Sequence, residues 1–103
     1  MNKAALGKEF RLDLHGAFLR RTDLSSASLK HANLKGADFT NAIFRGADFE
    51  SAILDGTILK GADLTGAKNL TLSQLRQAVL DETTKLPEGL SISQILEDQR
   101  QAD

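Results

Sequence analysis

The sequence predicts an all-β solenoid with a short α-helical cap at its C-terminal end. Three observations carry this prediction: a strict five-residue period, a small residue two places before every large one except the first, and glycine at most of the turns. The period runs without a slip through residues 12–66, as eleven successive pentads. The pentad centres are Leu14, Leu19, Leu24, Leu29, Leu34, Phe39, Phe44, Phe49, Leu54, Leu59 and Leu64. We expect all eleven centres to form the buried structural core.

A single helix or strand cannot use a five-residue period. In an α-helix, five residues advance about 500°, so successive centres would step about 140° and form no stripe. In a continuous strand the side chains alternate with period two, so every second centre would face away from the core. A turn inside each pentad resolves this conflict, because the small and the large residue then share the inward face of a very short strand.

The last residue of each pentad is suited to a corner. Glycine or asparagine holds seven of the eleven corners, at Gly16, Gly36, Asn41, Gly46, Gly56, Gly61 and Gly66. These residue types adopt positive φ at low cost, as the third residue of a type II turn requires. The other four corners are Arg21, Ser26, His31 and Ser51, where we expect a looser turn type.

The string A(D/N)LxG, as in residues 32–36 and 62–66, resembles the pentapeptide-repeat family. The resemblance covers residues 12–66 and is specific because of its length. It implies a right-handed quadrilateral parallel β-helix with four pentads to a coil, and therefore just under three coils. Residues twenty apart would stack about 4.8 Å from one another. All three core phenylalanines would then lie in the second coil.

Opposite charges are expected to pair up this stack at the place after the pentad centre. In that register Lys30 lies beneath Glu50 and Lys35 lies beneath Asp55. Such exposed pairs contribute only about 0–1 kcal/mol each, so we expect them to tune the register more than the stability.

The segments on either side of the repeat have different characters. Residues 1–11 form a lead-in whose only large apolar residues next to the repeat are Leu6 and Phe10, too little for a stable lid. Residues 67–103 are predicted to be a helical C-terminal cap and tail. The cap is needed because an uncovered solenoid end exposes unpaired strands.

The first cap helix is expected to begin with a capping box between Thr71 and Gln74 and to end near Asp81. Its apolar stripe consists of Leu72, Leu75, Ala78 and Val79. This stripe predicts a helix that closes the last coil, although a partner-binding surface is the alternative.

A second helix is expected to start at Ser91, with Gln94 three residues later in the capping-box position. Its apolar content fades after Leu96, and the tail beyond that residue is expected to fray. The segment between the two helices contains the only proline and a glycine, which is typical of a loop.

The sequence predicts no catalytic, cofactor-binding or metal-binding residues. The two histidines, His15 and His31, fall about one side of the coil apart, and the chain has no cysteine to act as a nucleophile or thiolate ligand. The aspartates of the repeat share the place before the centre, at Asp13, Asp23, Asp38, Asp48 and Asp63. There we expect them to face outward and bond to nearby backbone. We therefore expect a protein that is not an enzyme and needs no cofactor.

A protein–protein interaction or scaffold module is the function that remains. The outward position before the centre is apolar at Phe18 and Ile43, which makes these two residues a possible interaction surface. Isolated apolar residues also occur on surfaces without any function. The N-terminal edge of the solenoid is a second candidate, because it could stack on a second copy to give a homodimer or on another repeat protein. Residues 1–11 covering that edge themselves is the alternative.

The best-known activity of the resembled family, mimicry of DNA to bind a type II topoisomerase such as gyrase, is the alternative function. Mimicry needs a long rod with an acidic face. This chain has 13 Lys and Arg against 14 Asp and Glu, and three coils span only about 15 Å. No nucleic-acid partner is expected, since the charges alternate in sign and no aromatic side chain is placed for stacking. No segment approaches the ~20 apolar residues of a membrane span, so we expect no membrane partner and a cytoplasmic protein.

Overall fold

The structure, a computed structural model, describes residues 11–100. It is a β-helix solenoid in which isolated parallel bridges replace extended strands throughout the described residues. Eight of the bridges join residues twenty positions apart. The expected weakness of the lead-in, based on Leu6 and Phe10, lies outside the described residues.

The bridges define successive coils, and we call residues 12–31, 32–51 and 52–71 the first, second and third coil. Within residues 12–66, each bridged residue is the outward one before a pentad centre. The first column of bridged residues is Asp13, Asn33 and Ile53; the second is Phe18, Asp38, Ile58 and Val79; the third is Asp23, Ile43, Asp63 and Lys85; the fourth is Ser28, Asp48 and Lys68.

A bridged residue turns both of its main-chain polar groups toward the coil below. Asn33 donates its N–H to the carbonyl of Leu12 at 2.8 Å, and its carbonyl accepts the N–H of Leu14 at 2.8 Å. The corners are joined as well, because the N–H of Gly16 donates to the carbonyl of Lys35 at 2.9 Å. Each pentad is therefore tied to the next coil at both its strand and its corner.

Every corner has the same left-handed backbone conformation. The φ angles of the eleven corner residues lie between 57° and 72°. The expected looser turn at Arg21, Ser26, His31 and Ser51 is wrong, because their φ values run only from 57° to 61°. The corner bonds impose this shape, as where Arg21 donates its N–H to the carbonyl of Thr40 at 2.9 Å. A residue with a side chain loses roughly 1–2 kcal/mol in that conformation, which explains why glycine is preferred.

The pentad centres form the core, and they are not equally buried. The centres Leu29, Leu34, Phe39, Phe44, Phe49, Leu54, Leu59 and Leu64 are buried. Leu14, Leu19 and Leu24 are only partly buried, so the expectation that all eleven centres are buried is wrong for these three. All three lie in the first coil, on which a coil packs from one side only among the described residues, although Leu29, in the same coil, is buried at 2%.

The three phenylalanines form the bulkiest layer of the core, in the second coil. The ring centroids of Phe39 and Phe44 lie 5.0 Å apart in an edge-to-face arrangement. Those of Phe44 and Phe49 lie 5.3 Å apart with the rings tilted by 59°. Such geometries are the favourable ones for aromatic pairs, so the rings stabilise this layer beyond their burial.

Helix α1 spans Leu72–Gln77 and begins with the predicted capping box. The N–H of Gln74 donates to Thr71 Oγ1 at 3.1 Å, and the N–H of Thr71 donates to Gln74 Oε1 at 2.8 Å. The helix is shorter than expected, because Ala78 has returned to extended backbone with φ −91° and ψ 168°. The predicted stripe is wrong too, since Leu75 is its only buried member within the helix.

After α1 the chain returns to the solenoid and adds two further rungs, at Val79 and Lys85. Val79 forms a parallel bridge with Ile58, and Lys85 forms one with Asp63. Their flanking residues repeat the pentad pattern of small, outward and large, with Ala78 and Leu80 buried around the first of the two. The segment predicted to be a helical cap and tail therefore also contributes bridged rungs to the solenoid.

Helix α2 spans Ile92–Arg100 and packs against α1. The N–H of Gln94 donates to Ser91 Oγ at 3.3 Å, as the predicted start of this helix requires. Ile95 is its buried residue, and it joins the same apolar core as the pentad centres.

The helix continues past Leu96, contrary to the expectation that the chain frays there. Arg76 Nη2 lies 2.9 Å from Asp98 Oδ2. Gln99 Nε2 donates to the carbonyl of Ala78 at 2.8 Å. Polar contacts, which the apolar pattern does not reveal, thus hold the end of α2 on the cap.

Candidate interaction surface

Phe18 is the most exposed large apolar side chain of the described residues, at 86%. It occupies the outward position of the second column in the first coil, directly below Asp38. The column continues through Ile58 to Val79, which is 38% exposed. Apolar side chains therefore lie at both ends of this column, with one carboxylate between them.

Five of the eleven outward positions in the repeat hold an aspartate, and each bonds to the nearby backbone, as the sequence predicts. Asp38 Oδ1 accepts the N–H of Thr40 at 3.0 Å and its hydroxyl at 2.6 Å. The same bond to the backbone N–H two residues on is made by Asp13, Asp23, Asp48, Asp63 and Asp81. A phenyl ring accepts no such bond, so Phe18 leaves its corner without this support.

These bonds also set the charge state of the aspartates. The Thr40 hydroxyl, the Thr40 backbone N–H and then the Arg20 guanidinium hold the pKa of Asp38 below its usual 3.8. The side-chain amide of Asn69 is the main cause that lowers the pKa of Asp48. Hydrogen bonds of this kind favour the ionised form, so these aspartates stay ionised to a lower pH than a free aspartate does.

Ile43, the other residue of the predicted surface, lies in the third column of the second coil. It is 36% exposed and bridges Asp23 below and Asp63 above. Phe18 and Ile43 thus belong to neighbouring columns in successive coils, and no bridge brings them together. Ile53, in the first column, is as exposed as Ile43, at 40%.

Three ion pairs connect successive coils, with a spacing that differs from the predicted one. Each joins the residue after a centre to the aspartate eighteen positions on: Arg20 with Asp38 at 3.8 Å, Lys30 with Asp48 at 3.8 Å and Arg45 with Asp63 at 3.0 Å. The expected partner of Lys30, Glu50, is therefore wrong, and Lys35 forms no ion pair with Asp55 within the described residues. The corner bond explains the choice, because it occupies Oδ1 of the aspartate and leaves Oδ2 for the cation of the coil below.

The structure separates the two histidines. His15 Nδ1 contacts Asp13 Oδ1 at 2.7 Å, whereas His31 occupies a corner of the first coil. Between residues 11 and 100 no group of three or more His, Asp or Glu side chains is placed to hold a metal ion. Over the same residues, no helix is both long and apolar enough to cross a membrane.

The family model for pentapeptide repeats matches residues 11–46 and 42–81 of this chain, with eight copies. The chain therefore belongs to the pentapeptide-repeat family. The match continues past residue 66 and covers the first of the two additional rungs. A comparison with curated proteins finds no significant match.

Solved structures similar to this chain are also pentapeptide-repeat proteins. One is Rfr23 from the cyanobacterium Cyanothece 51142, at 30% identity and a TM-score of 0.65, covering 75% of this chain and 52% of that one. This chain thus spans about half the length of that neighbour. Another is HetL from Nostoc sp. strain PCC 7120, described as involved in the regulation of heterocyst differentiation, at 33% identity and a TM-score of 0.36, covering 80% and 44% of the two chains.

Proposed function

We propose that this protein is a non-enzymatic interaction module that binds a protein partner through its solenoid surface. The observation that carries the proposal is the exposure of Phe18, at 86%, in a position that the repeat otherwise fills mostly with polar residues. Burying an exposed phenylalanine side chain contributes about 1.5–3 kcal/mol. The ring is displayed on a backbone fixed by bridges to the coil above, so little order has to be created on binding.

The chemistry of the outward columns supports a binding role over a catalytic one. Their aspartates are engaged with their own corners and with cations of the coil below. An acid–base pair needs carboxylates or imidazoles that can meet around a substrate, and the two histidines are kept apart. The outward side chains therefore serve the scaffold.

We further propose that the solenoid is right-handed and quadrilateral, with three coils and a partial fourth. Four left-handed corners per twenty residues, each at φ near 60–70°, support a four-sided coil. The right-handed sense follows from the family resemblance. For the location we propose the cytoplasm, which a chain without cysteine fits.

The alternative function, mimicry of DNA, is not favoured by the charge pattern. Mimicry needs a continuous acidic face. Arg20, Lys30 and Arg45 lie against three of the outward aspartates, and these cations interrupt the acidic columns. We expect no binding of the chain to a type II topoisomerase.

The binding surface is tested by comparative affinity capture from the native host. Tagged wild-type protein is compared with the double variant Phe18→Asp/Ile43→Asp and with Ile53→Asp, a control of similar exposure in another column. A partner retained by the wild type and the control but lost by the double variant supports this surface. Equal recovery of every bound protein by all three baits contradicts it, provided that their melting temperatures agree.

A further inference from the structure

Among residues 11–100, the lower edge of the first coil lacks one complete layer of main-chain partners. In the second coil, Asn33 illustrates the bonded state, because its N–H and carbonyl both bond to the first coil. One coil lower, the equivalent N–H groups of Asp13, Phe18, Asp23 and Ser28 have no partner within residues 11–100. The unpartnered carbonyls of the same edge are those of Asp13, His15, Phe18, Arg20, Asp23, Ser25, Ser28 and Lys30. We call these residues the lower edge.

The apolar layer above the lower edge is incomplete at three of its four centres, the exception being Leu29, which is buried. Leu14, Leu19 and Leu24 are partly buried, whereas Leu34 and Phe39, directly above the first two of them, have no exposed surface. Free strand edges beside exposed apolar side chains readily accept another chain. The lower edge thus offers both hydrogen bonds and apolar area to an occupant.

The path of the lower edge limits what can occupy it. Only one residue per side is bridged, and a left-handed corner follows within each pentad. A straight strand would therefore meet one side and leave the other three open. An occupant that satisfies the whole edge must turn a corner every five residues, which is what another pentapeptide coil does.

The ion pairs between coils specify the side chains of that occupant. In the upper coils, a cation after the centre reaches Oδ2 of the aspartate above it, as Arg45 does for Asp63. In the lower edge, Oδ1 of Asp13 and of Asp23 is used by His15 and Ser25. No Lys or Arg of the described residues pairs with either aspartate. The matching coil would place Arg or Lys beneath Asp13 and Asp23.

A second copy of this chain does not fit the lower edge. Residues 11–31 contain four Lys and Arg but two Asp and Glu, so two lower edges facing each other repel. The opposite end, residues 72–100, has the reverse balance of three to five, but its rungs are covered. Gly56, at the top of the third coil, already donates its N–H to the carbonyl of Gln77 at 2.8 Å.

We propose that the lower edge docks the terminal coil of a different pentapeptide-repeat protein, with Arg or Lys after the centres that lie beneath Asp13 and Asp23. The proposal rests on the proposed function as an interaction module and adds a second surface, the lower edge, with its own class of partner. Docking extends the solenoid by continuing its columns. The partner coil pairs its main chain with the free groups of the lower edge and covers Leu14, Leu19 and Leu24.

A tethered coil tests the proposal without knowledge of the natural partner. A second copy of residues 32–51 is inserted between Arg11 and Leu12, where its Lys35 and Arg45 would lie beneath Asp13 and Asp23. Covalent linkage gives a millimolar effective concentration. We expect the amide protons of Asp13, Phe18, Asp23 and Ser28, which should exchange fast in the parent chain, to become protected. The melting temperature should rise by roughly 5 °C.

Two control variants make the result decisive. In the first, the inserted copies of Lys35 and Arg45 are both changed to Glu, which should remove part of the rise in melting temperature. In the second, the same copy is inserted between Ser51 and Ala52, which verifies that the duplicated coil folds inside the solenoid.

Any of four results would overturn the proposal. The four amides could already be protected in the parent chain, or could stay unprotected in the extended chain although the internal duplication folds. Equal melting temperatures for the matched and charge-reversed insertions would show that Arg or Lys beneath Asp13 and Asp23 plays no part in docking. A concentration-dependent dimer of the parent chain that protects the lower edge would identify a second copy as the occupant. None of these results depends on Phe18 capturing a partner, so a failure here is distinct from a failure of the proposed function.

Discussion

The two ends of this solenoid differ in whether the described chain supplies hydrogen-bond partners for the main chain of the terminal coil. Above the third coil, non-repetitive chain supplies the missing partners, as where Leu59 donates its N–H to the carbonyl of Val79 and Leu64 donates its N–H to the carbonyl of Lys85. At the lower edge, the corresponding groups are left without partners among the described residues. A repeat thus specifies how coils stack but not how the stack ends, and the ends are where a solenoid acquires its individual properties.

The largest effect is expected from truncating a pentad centre, and it should differ between the second coil and the first. Phe44→Ala removes a fully buried ring from the second coil and should cost roughly 3–5 kcal/mol of unfolding free energy. Leu24→Ala, one coil lower in the same column, should cost about half as much, because Leu24 is already partly exposed. Urea denaturation of both variants checks the contrast. Equal losses would mean that the first coil is as well covered as the second.

Enlarging an inward alanine should also destabilise the protein more in the second coil than in the first, with a smaller loss of unfolding free energy. Ala37→Leu forces a large side chain into a site with no exposed surface and should cost about 1–3 kcal/mol. Ala17→Leu, twenty residues earlier, should cost less because the first coil can yield toward its open side. Thermal melts within a degree of wild type for Ala37→Leu would refute the inward assignment of the alanines.

The upper cap should depend on Gln74 more than on its helical neighbours. Its side chain completes the capping box, and Nε2 also donates to the carbonyls of Phe49 and Ala52 at 2.9 and 3.0 Å. We expect Gln74→Ala to cost about 1–2 kcal/mol, whereas Gln77→Ala, at an exposed position of the same helix, should be nearly neutral. Chemical denaturation of the pair measures this difference, and identical midpoints would contradict the role given to Gln74.

The smallest expected effect is the loss of stability at low pH. Because the pKa of the outward aspartates is lowered by folding, their stabilisation is present above pH 3.8 and is lost as the pH falls below it. Asp63 is bonded by Thr65 and Arg45, whereas Asp23 is bonded by Ser25 alone. We therefore expect the free energy of unfolding, measured by denaturation between pH 2 and pH 6, to depend less on pH in Asp63→Asn than in Asp23→Asn. The opposite order would contradict the ladder of ion pairs.

Much of the fold could be predicted because the five-residue period excludes a simple helix or strand. The two additional rungs were missed since the period lapses there: Val79 follows its partner Ile58 by 21 residues, and Lys85 follows Asp63 by 22. In the sequence, Ala78 and Val79 also fit the spacing of an apolar helical stripe, and for this reason they were assigned to the helix and not to a pentad. The small-outward-large triplet at residues 78–80 is the signal that could have revealed the first additional rung.

The surface was less predictable than the core, because its contacts depend on which atoms are already engaged. Spacing alone places Lys30 beneath Glu50. The aspartate at position 48 attracts Lys30 instead, since its Oδ1 is held by the N–H of Glu50 and its Oδ2 is open to the coil below. The exposure of Phe18, in contrast, follows directly from its outward place in the pentad.

Native-state hydrogen exchange tests most directly the central claim that the upper end is covered by the chain whereas the lower end has no main-chain partners among residues 11–100. The amide protons of Asp13, Phe18, Asp23 and Ser28 are compared with those of their bridge partners one coil higher, Asn33, Asp38, Ile43 and Asp48. The account predicts fast exchange for the first four and slow exchange for the second four, because only the second four are bonded to a coil below. Comparable protection of both sets would show that the lower edge is covered and would contradict the account.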